Sequence, residues 1–329
     1  MLGGAIGNAM GSPVETWDYH RIERIYGKIE MPLDLARIKS EDDYQIAILF
    51  TNSYLAHRRN LAPEDLAKTW LEEFTGAEKF FWCMRNALEL LRRGISPRQT
   101  GLYNINTGSA IMAISPVGIY HALDPDAAWA EALDLAYMYQ PKPDAHCAAA
   151  MAAGFAEAFS PDATTTTVTR AILEHALDED LVYWDDRPLC NIHEAVQTGL
   201  DIAVEFGNDW WAARPVIYER LSQWHAIEPI EVLSITACLL AMTGGDYVEA
   251  VIAGTNIGRD SDTIANLVGG VCGAMGGVEC IPVDWIEGVR EINPALHRSF
   301  VERSTAFATL VREKFQATRR RLAAFERLG

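Results

Sequence analysis

The sequence predicts an all-α protein, and three observations lead to this prediction. Apolar residues recur at helical spacing along almost the whole chain, whereas the alternation typical of a half-buried strand is almost absent. Prolines and acidic residues precede the apolar runs, as in Pro63-Glu64-Asp65, where they favour the first turn of a helix. Neither a repeat of fixed period nor a low-complexity linker divides the chain. We therefore expect residues 1–329 to form a single compact domain of about a dozen helices.

The helices can be placed from their start and stop signals. Gly94 ends one of them, the segment Pro141-Lys142-Pro143 separates two alanine-rich helices, and Thr164 begins another. Prolines also mark predicted starts at Pro215 and Pro229. In chain order, the predicted helices span residues 63–74, 80–93, 125–138, 144–159, 164–177, 193–206, 215–223, 229–242, 246–254, 261–275, 282–292 and 295–327.

Composition excludes several classes of function. The chain has 45 acidic and 28 basic residues, a net charge of −17, which would repel a nucleic-acid backbone. The six cysteines form no Cys-x-x-Cys pair and several lie in apolar stretches, as reduced, buried thiols do. No signal peptide is recognisable. The least polar segment, residues 264–281, contains Glu279 and many glycines, so a tightly packed internal helix suits it better than a membrane span. We expect a soluble cytoplasmic protein without nucleic-acid or membrane partners.

Two acidic motifs precede apolar helices and could bind a cation. Glu41, Asp42 and Asp43 are consecutive, and although one acid would suffice for capping, three adjacent carboxylates repel one another unless a cation lies among them. Asp260 and Asp262 have the alternate spacing, beside hydroxyl residues, that suits a hard cation. Helix capping remains the alternative for both motifs, and a structural sodium or calcium site is a further alternative for the second.

Three other segments each allow a structural and a functional interpretation. Glycines at positions 3, 7 and 11 lie on one face of a helix, for close packing or for a site near Glu15. The polar loop of residues 104–110 offers amides and backbone N–H groups to a phosphate or sugar, although such loops are common. The basic segment 319–321 lies near the end of an amphipathic helix, where solvation or the helix dipole explains it better than a partner does.

In this order, the motifs resemble those of the ADP-ribosylglycohydrolase family. Residues 3–15 resemble its opening Gly-x-x-x-Gly-Asp-Ala-x-Gly-x-Pro-x-Glu segment, and residues 41–45 resemble Thr-Asp-Asp-Thr-x. Residues 107–116 are similar to the central Asn-Gly-x-x-Met-Arg-x-x-Pro stretch. Residues 256–265 resemble the most specific signature, Asn-x-Gly-Gly-Asp-x-Asp-Thr-Ile-Ala, and residues 269–277 resemble the glycine-rich stretch that follows it.

The resemblance implies an orthogonal α-helical fold and a metal-dependent hydrolase that cleaves an N- or O-ribosyl bond, with ADP-ribosyl conjugates as the first substrate class. It implies two divalent cations, Mg²⁺ or Mn²⁺, which would orient ribose hydroxyls and activate a water. The implied residues are Glu15 and Asp43 for catalysis, Asp42, Asp43, Asp260, Asp262 and Thr263 for the metals, and Asn104, Asn106, Thr107, Gly108, Ser109, Asn256 and Gly258 for the substrate. Glu41 stands where the family has a threonine, and from its own chemistry we expect it to point into the cleft as a metal ligand or as a catalytic base for the attacking water, with helix capping as the alternative.

The chain also departs from the family pattern. Asn8 replaces an aspartate, Glu41 and Tyr44 replace threonines, Ala113 stands about where an arginine is common, and Gln140 stands where many members have histidine. These departures concern the substrate more than the fold. A smaller ribosyl or nucleoside-like compound and a non-catalytic ADP-ribose-binding role therefore stay open as alternatives. The aglycone, the preferred metal and the oligomeric state are not fixed by the sequence.

Overall fold

A computed structural model describes residues 1–36, 42–74, 81–181 and 191–327 of the chain. In these ranges the structure contains sixteen α-helices and no β-strand, which confirms the predicted all-α class. The helices are α1 (Leu2–Gly11), α2 (Tyr19–Tyr26), α3 (Asp42–His57), α4 (Pro63–Glu73), α5 (Trp82–Arg92), α6 (Ser115–Tyr120), α7 (Pro125–Ala136), α8 (Lys142–Glu157), α9 (Thr165–His175), α10 (Ile192–Phe206), α11 (Trp210–Leu221), α12 (Pro229–Thr243), α13 (Tyr247–Asn256), α14 (Ser261–Gly276), α15 (Val283–Ile292) and α16 (Pro294–Glu326).

The predicted start of α11 at Pro215 is wrong. The helix begins at Trp210 because the Asp209 side chain caps it, accepting from the backbone N–H of Ala212 at 3.0 Å. Pro215 lies inside the helix, where it cannot donate to the carbonyl four residues earlier. The side-chain Nε of Arg214 donates to that carbonyl, at Trp211, at 3.1 Å. The helix therefore tolerates an internal proline that the sequence pattern reads as a start.

The helices α8 and α12 form the centre of the molecule. From Asp144 to Ala156 every residue of α8 is buried, and small side chains allow α7, α9 and α6 to pack closely around it. Nearly all of α12 is buried too, and it packs against α10, α14 and α8. Among the described helices, none combines the length and apolar composition that a membrane span requires. That residues 1–329 form one domain stays a prediction.

The most extensive helix contact joins α1 to α14 through glycines. A Cβ atom on Gly7 would lie 2.1 Å from the carbonyl oxygen of Ala265, and one on Gly11 would lie 2.2 Å from that of Ser261. These distances are far shorter than a van der Waals contact, so only glycine lets the two backbones approach this closely. The glycines at positions 3, 7 and 11 therefore serve close packing, one of the two readings that the sequence left open.

Gly7→Ala should destabilise the protein, whereas Gly273→Ala, on the same pair of helices, should not. The new methyl at position 7 would overpack the contact with α14, at a cost of about 1–3 kcal/mol. At Gly273 the nearest atom to an added Cβ is 3.8 Å away, so alanine fits and gains up to about 1 kcal/mol in helix propensity. Urea unfolding of both variants measures the two effects. Equal stabilities would contradict the packing argument.

Candidate active site

A cavity of about 70 Å³ lies where the ends of α1, α3 and α14 come together. The two acidic motifs, distant in sequence, both line it, as the sequence analysis expects. Because they come from different helices, the fold rather than chain proximity brings these carboxylates together. The lining residues are Glu15, Asp42, Asp43, Phe81, Thr107, Gly108, Ser109, Met112, Ile227, Asp260, Asp262 and Thr263.

Backbone pairing brings Glu15 to Asp260. The segment after Glu15 runs antiparallel to the segment before Asp260, with the Thr16 N–H donating to the Arg259 carbonyl at 2.7 Å. The Arg259 N–H donates in return to the Trp17 carbonyl at 2.8 Å. Both Thr16 and Arg259 have positive φ, at 64° and 59°, a conformation that non-glycine residues rarely adopt. These two turns aim the flanking carboxylates at one point.

Three carboxylates form a cluster that fits a hard cation. One oxygen each from Glu15, Asp260 and Asp262 lies within 4.8 Å of the others. Asp260 and Asp262 are buried, and burial, together with the carboxylates of Asp262, Glu15 and Asp43, raises the pKa of Asp260 well above its usual value. An all-oxygen donor set of this kind suits Mg²⁺, Mn²⁺ or Ca²⁺, whose positive charge would relieve the mutual repulsion.

Asp42 and Asp43, at the start of α3, and Thr263 line the same cavity. Together with Glu15, Asp260 and Asp262 they form what we call the acidic wall. Asp43 is buried, and its Oδ1 accepts from Asn266 Nδ2 at 3.1 Å, while the same amide donates to the Met112 carbonyl at 2.9 Å. Asn266 was missed by the sequence analysis, although it lies one helical turn after Asp262 on α14. Glu41, expected beside Asp42 and Asp43, lies outside the described residues, so its role stays a prediction.

The predicted substrate loop only partly reaches this cavity. Thr107, Gly108 and Ser109 line it, whereas Asn104 and Asn106 do not. The Asn104 amide donates to the Cys83 and Tyr139 carbonyls at 2.7 and 2.9 Å, which fixes the loop to its neighbours. Asn106 Nδ2 donates to Oε1 of the buried Glu228 at 2.9 Å. Both amides therefore hold the loop in place in this structure.

Two backbone N–H groups in the second half of the loop, those of residues 107 and 108, donate to other parts of the protein. Thr107 N–H donates to Gln140 Oε1 at 3.2 Å, and Gln140 Nε2 donates to the Thr107 hydroxyl at 3.0 Å. Gly108 N–H donates to the Ile227 carbonyl at 2.9 Å. Gln140, which stands about where the family pattern has histidine, thus contributes a fully buried contact to the loop.

A buried aspartate takes the next two N–H groups. Asp144 Oδ2 accepts from the Ala110 N–H at 2.7 Å and its Oδ1 accepts from the Ile111 N–H at 3.1 Å. Asp144 is fully buried, and burial raises its pKa well above the usual value, although these two hydrogen bonds act in the opposite direction. Because the N–H groups of residues 107, 108, 110 and 111 donate to protein oxygens, this arrangement does not leave these four groups for a phosphate. The sequence reading of the loop as a phosphate cradle does not take these contacts into account.

Asn256 and Gly258, both predicted to bind substrate, lie away from the cavity and hold the backbone together. The Asn256 amide exchanges hydrogen bonds with the N–H and carbonyl of Ile29, at 2.9 and 2.8 Å, and it is fully buried. Gly258 has a φ of +72°, and a Cβ there would lie 2.3 Å from the Trp17 carbonyl oxygen. These residues fix the position of the chain that leads into Asp260.

Two departures from the family pattern lie beside the acidic wall. Asn8 is 1% exposed, and its amide nitrogen and oxygen have no hydrogen-bond partner among the described residues. It borders a cavity of about 20 Å³ together with Asp43 and Asn266. Tyr44 lines the same small cavity and packs against Phe300, with ring centroids 4.7 Å apart. Both substitutions thus change the surroundings of Asp43.

The chain is similar to two curated proteins and to a solved structure. An uncharacterized protein of Archaeoglobus fulgidus is 26% identical over 301 residues, which are 88% of this chain and 90% of the relative. The uncharacterized protein YegU of Escherichia coli K12 is 22% identical over 300 residues, 85% of this chain and 87% of the relative. A solved structure of an ADP-ribosylglycohydrolase-related protein complex shares the fold, with a TM-score of 0.64 and 18% identity over 94% of this chain and 95% of the other.

The family model is more specific than these pairwise likenesses. The model for ADP-ribosylglycohydrolase matches residues 1–321, a range that includes every residue of the acidic cavity. The chain therefore belongs to the ADP-ribosylglycohydrolase family.

Proposed function

We propose that the protein is a metal-dependent hydrolase that cleaves the N- or O-glycosidic bond of a ribosyl compound. The observation that carries this proposal is the convergence of Glu15, Asp260 and Asp262, with the acids of α3 beside them, on one cavity. A protein with a purely structural role would gain nothing from holding these mutually repelling carboxylates together.

In this proposal, Asp42, Asp43, Asp260, Asp262 and Thr263 hold two divalent ions, Mg²⁺ or Mn²⁺. Bound ions of this kind supply Lewis-acid stabilisation of developing negative charge. Glu15, at the half-exposed rim of the cavity, or Asp43, held by Asn266, would accept the proton of the attacking water. The oxygen of that water would bond to the anomeric carbon as the bond to the aglycone breaks, and the carboxyl group that took the proton would pass it to the leaving group.

Two substrate classes follow from different observations. Membership of the family favours ADP-ribosyl conjugates. The engaged N–H groups of residues 107, 108, 110 and 111 favour a smaller ribosyl or nucleoside-like compound, because they do not offer a pyrophosphate its usual backbone donors. A cytoplasmic location, without nucleic-acid or membrane partners, stays a prediction.

The deciding experiment compares kcat/KM on ADP-ribosyl-arginine, ADP-ribosyl-serine and phosphate-free ribosides, with Mg²⁺, with Mn²⁺ and with EDTA. We expect hydrolysis of at least one class that EDTA abolishes. A preference for the phosphate-free ribosides would select the smaller substrate. Calorimetric binding of ADP-ribose to the metal-loaded protein, without turnover of any of these compounds, would contradict the proposed hydrolase.

A further inference from the structure

A groove of about 670 Å³ lies between the loop that follows α3 and the C-terminal half of α16. It shares no lining residue with the acidic cavity. Five cationic side chains and one carboxylate line it, although the whole chain has a net charge of −17. These charged residues are Arg58, Arg59, Lys314, Arg320, Arg321 and Glu313. The basic segment near the end of the chain thus faces a second basic segment, which the sequence pattern alone does not reveal.

The two arginines on the α3 side already have acidic partners. Arg58 forms an ion pair with Glu313, the one carboxylate among the described residues that line the groove. Arg59 contacts both carboxylate oxygens of Asp65, at 2.9 and 2.8 Å. These pairs fix the guanidinium groups along one wall without adding net negative charge to the groove. The unbalanced positive charge therefore lies on α16.

On the α16 side, Arg320 and Arg321 are exposed and form no ion pair within the described part of the chain. Lys314 lies deeper, and its Nζ donates to the Tyr120 carbonyl and to His121 Nδ1, both at 3.0 Å. Burial lowers the pKa of Lys314. A charge held in this way is incompletely compensated, so an anion in the groove would stabilise it.

We propose that this groove binds a phosphate-bearing anion, either a free polyphosphate or the phosphate chain of a nucleotide. Guanidinium groups present planar pairs of N–H donors that match phosphate oxygens, and a lysine adds a point charge. A volume of about 670 Å³ falls within the usual range for small-ligand sites. The proposal does not rest on the hydrolase activity, because the groove and the acidic cavity are separate.

Isothermal titration calorimetry of the full chain with pyrophosphate, ATP and adenosine tests the proposal. EDTA is present throughout, so that divalent ions at the acidic cavity do not bind the phosphates. We expect pyrophosphate and ATP to bind and adenosine not to bind. The double variant Arg320→Gln/Arg321→Gln should weaken binding about tenfold or more, because two charge-assisted contacts are lost.

The matched control is Arg312→Gln/Arg319→Gln, which removes the same charge from α16 at exposed positions that do not line the groove. Its affinity should stay within about twofold of the wild type, since exposed charges that do not contact the anion are screened by salt. Inorganic tripolyphosphate, which has the same number of phosphates as ATP, separates the two sources: equal affinities for tripolyphosphate and ATP identify the phosphate chain as the ligand, and tighter binding of ATP identifies a nucleotide.

Two results would overturn the proposal: no binding of either phosphate compound at millimolar concentration, or equal weakening by both double variants. The second result would mean that net charge, and not the groove, attracts the anion. If the groove double variant unfolds, Arg320→Gln and Arg321→Gln are tested singly, and melting curves establish that each variant is folded. An affinity unchanged in both folded single variants would likewise count against the groove.

Discussion

Replacing Asp262 with asparagine is expected to raise the melting temperature of the protein in EDTA and to abolish the further rise that Mg²⁺ or Mn²⁺ produces. Without a cation, Asp262 repels Asp260, whose pKa is raised in part by that carboxylate, so its neutral isostere relieves the strain. With a cation, the variant lacks one of the carboxylates proposed to hold it. A ligand at one hundred times its Kd stabilises a protein by about 2.7 kcal/mol, and the variant should lose most of such a gain.

Hydrolytic activity should fall at the same time, by about 10² or more, because several kcal/mol of metal-ion stabilisation are lost and each decade corresponds to about 1.4 kcal/mol. Differential scanning fluorimetry with and without chelator measures the stability effects. Glu279→Gln is the control, because it removes the same charge at a residue that does not line the acidic cavity. A metal response that survives in Asp262→Asn, or a lower melting temperature in EDTA, would contradict the assigned cluster.

Removing the side chain of Arg259 should destabilise the protein by about 3–5 kcal/mol near neutral pH, because it leaves a buried carboxylate without its cation. Glu231 is fully buried, and Arg259 donates to its Oε1 and Oε2 at 2.5 and 2.8 Å. Arg259 also has a φ of 59°, so Arg259→Gly should cost about 1 kcal/mol less than Arg259→Ala, since glycine adopts this conformation freely. Urea unfolding of the two variants separates the ion pair from the backbone.

The cost should depend on pH in a defined direction. Burial raises the pKa of Glu231 from 4.5 to about 7 even with Arg259 in place, so the folded protein binds this proton more tightly than the unfolded chain does. The contribution of Glu231 to the free energy of unfolding is therefore fully present below about pH 4.5 and is lost as the pH rises through about 7. Without Arg259 the loss should be larger, and Glu231→Gln should remove most of it. A penalty for Arg259→Ala that is equal at pH 5 and pH 8 would contradict this explanation.

Much of the fold could be predicted because the signals that mark a helix lie within its own short stretch of sequence. Apolar spacing, prolines and first-turn acids placed twelve helices, and the structure has a helix at each of these positions. The predicted start of α11 is misplaced because a proline usually marks the first turn of a helix, whereas Pro215 lies inside this one. In the structure the side chain of Arg214 donates to the Trp211 carbonyl, which Pro215 leaves without its backbone donor, and the spacing of apolar residues does not show such a contact.

The acidic residues of the candidate site could be predicted from the sequence, whereas the contacts of its loop could not. Asp260 and Asp262 belong to one contiguous sequence motif, so they can be recognised before their position in space is known. The groups that occupy the loop N–H donors, Asp144 and Gln140, lie 33 or 34 residues from the atoms that they contact. Contacts of this length depend on how α8 packs, which the spacing of apolar residues does not determine.

The contact between α1 and α14 also determines the stage of translation at which the acidic cluster can assemble. The first helix of the chain finds its partner only after residues 261–276 have been made. Ribosomes add roughly 5–20 residues per second, so the nascent chain carries an unpaired glycine face for roughly 10–50 seconds. Closing so long a loop is entropically unfavourable, so we expect Glu15 to join Asp260 and Asp262 late. A nascent chain that ends before α14 therefore lacks both the acidic cluster and the most extensive packing contact of α1.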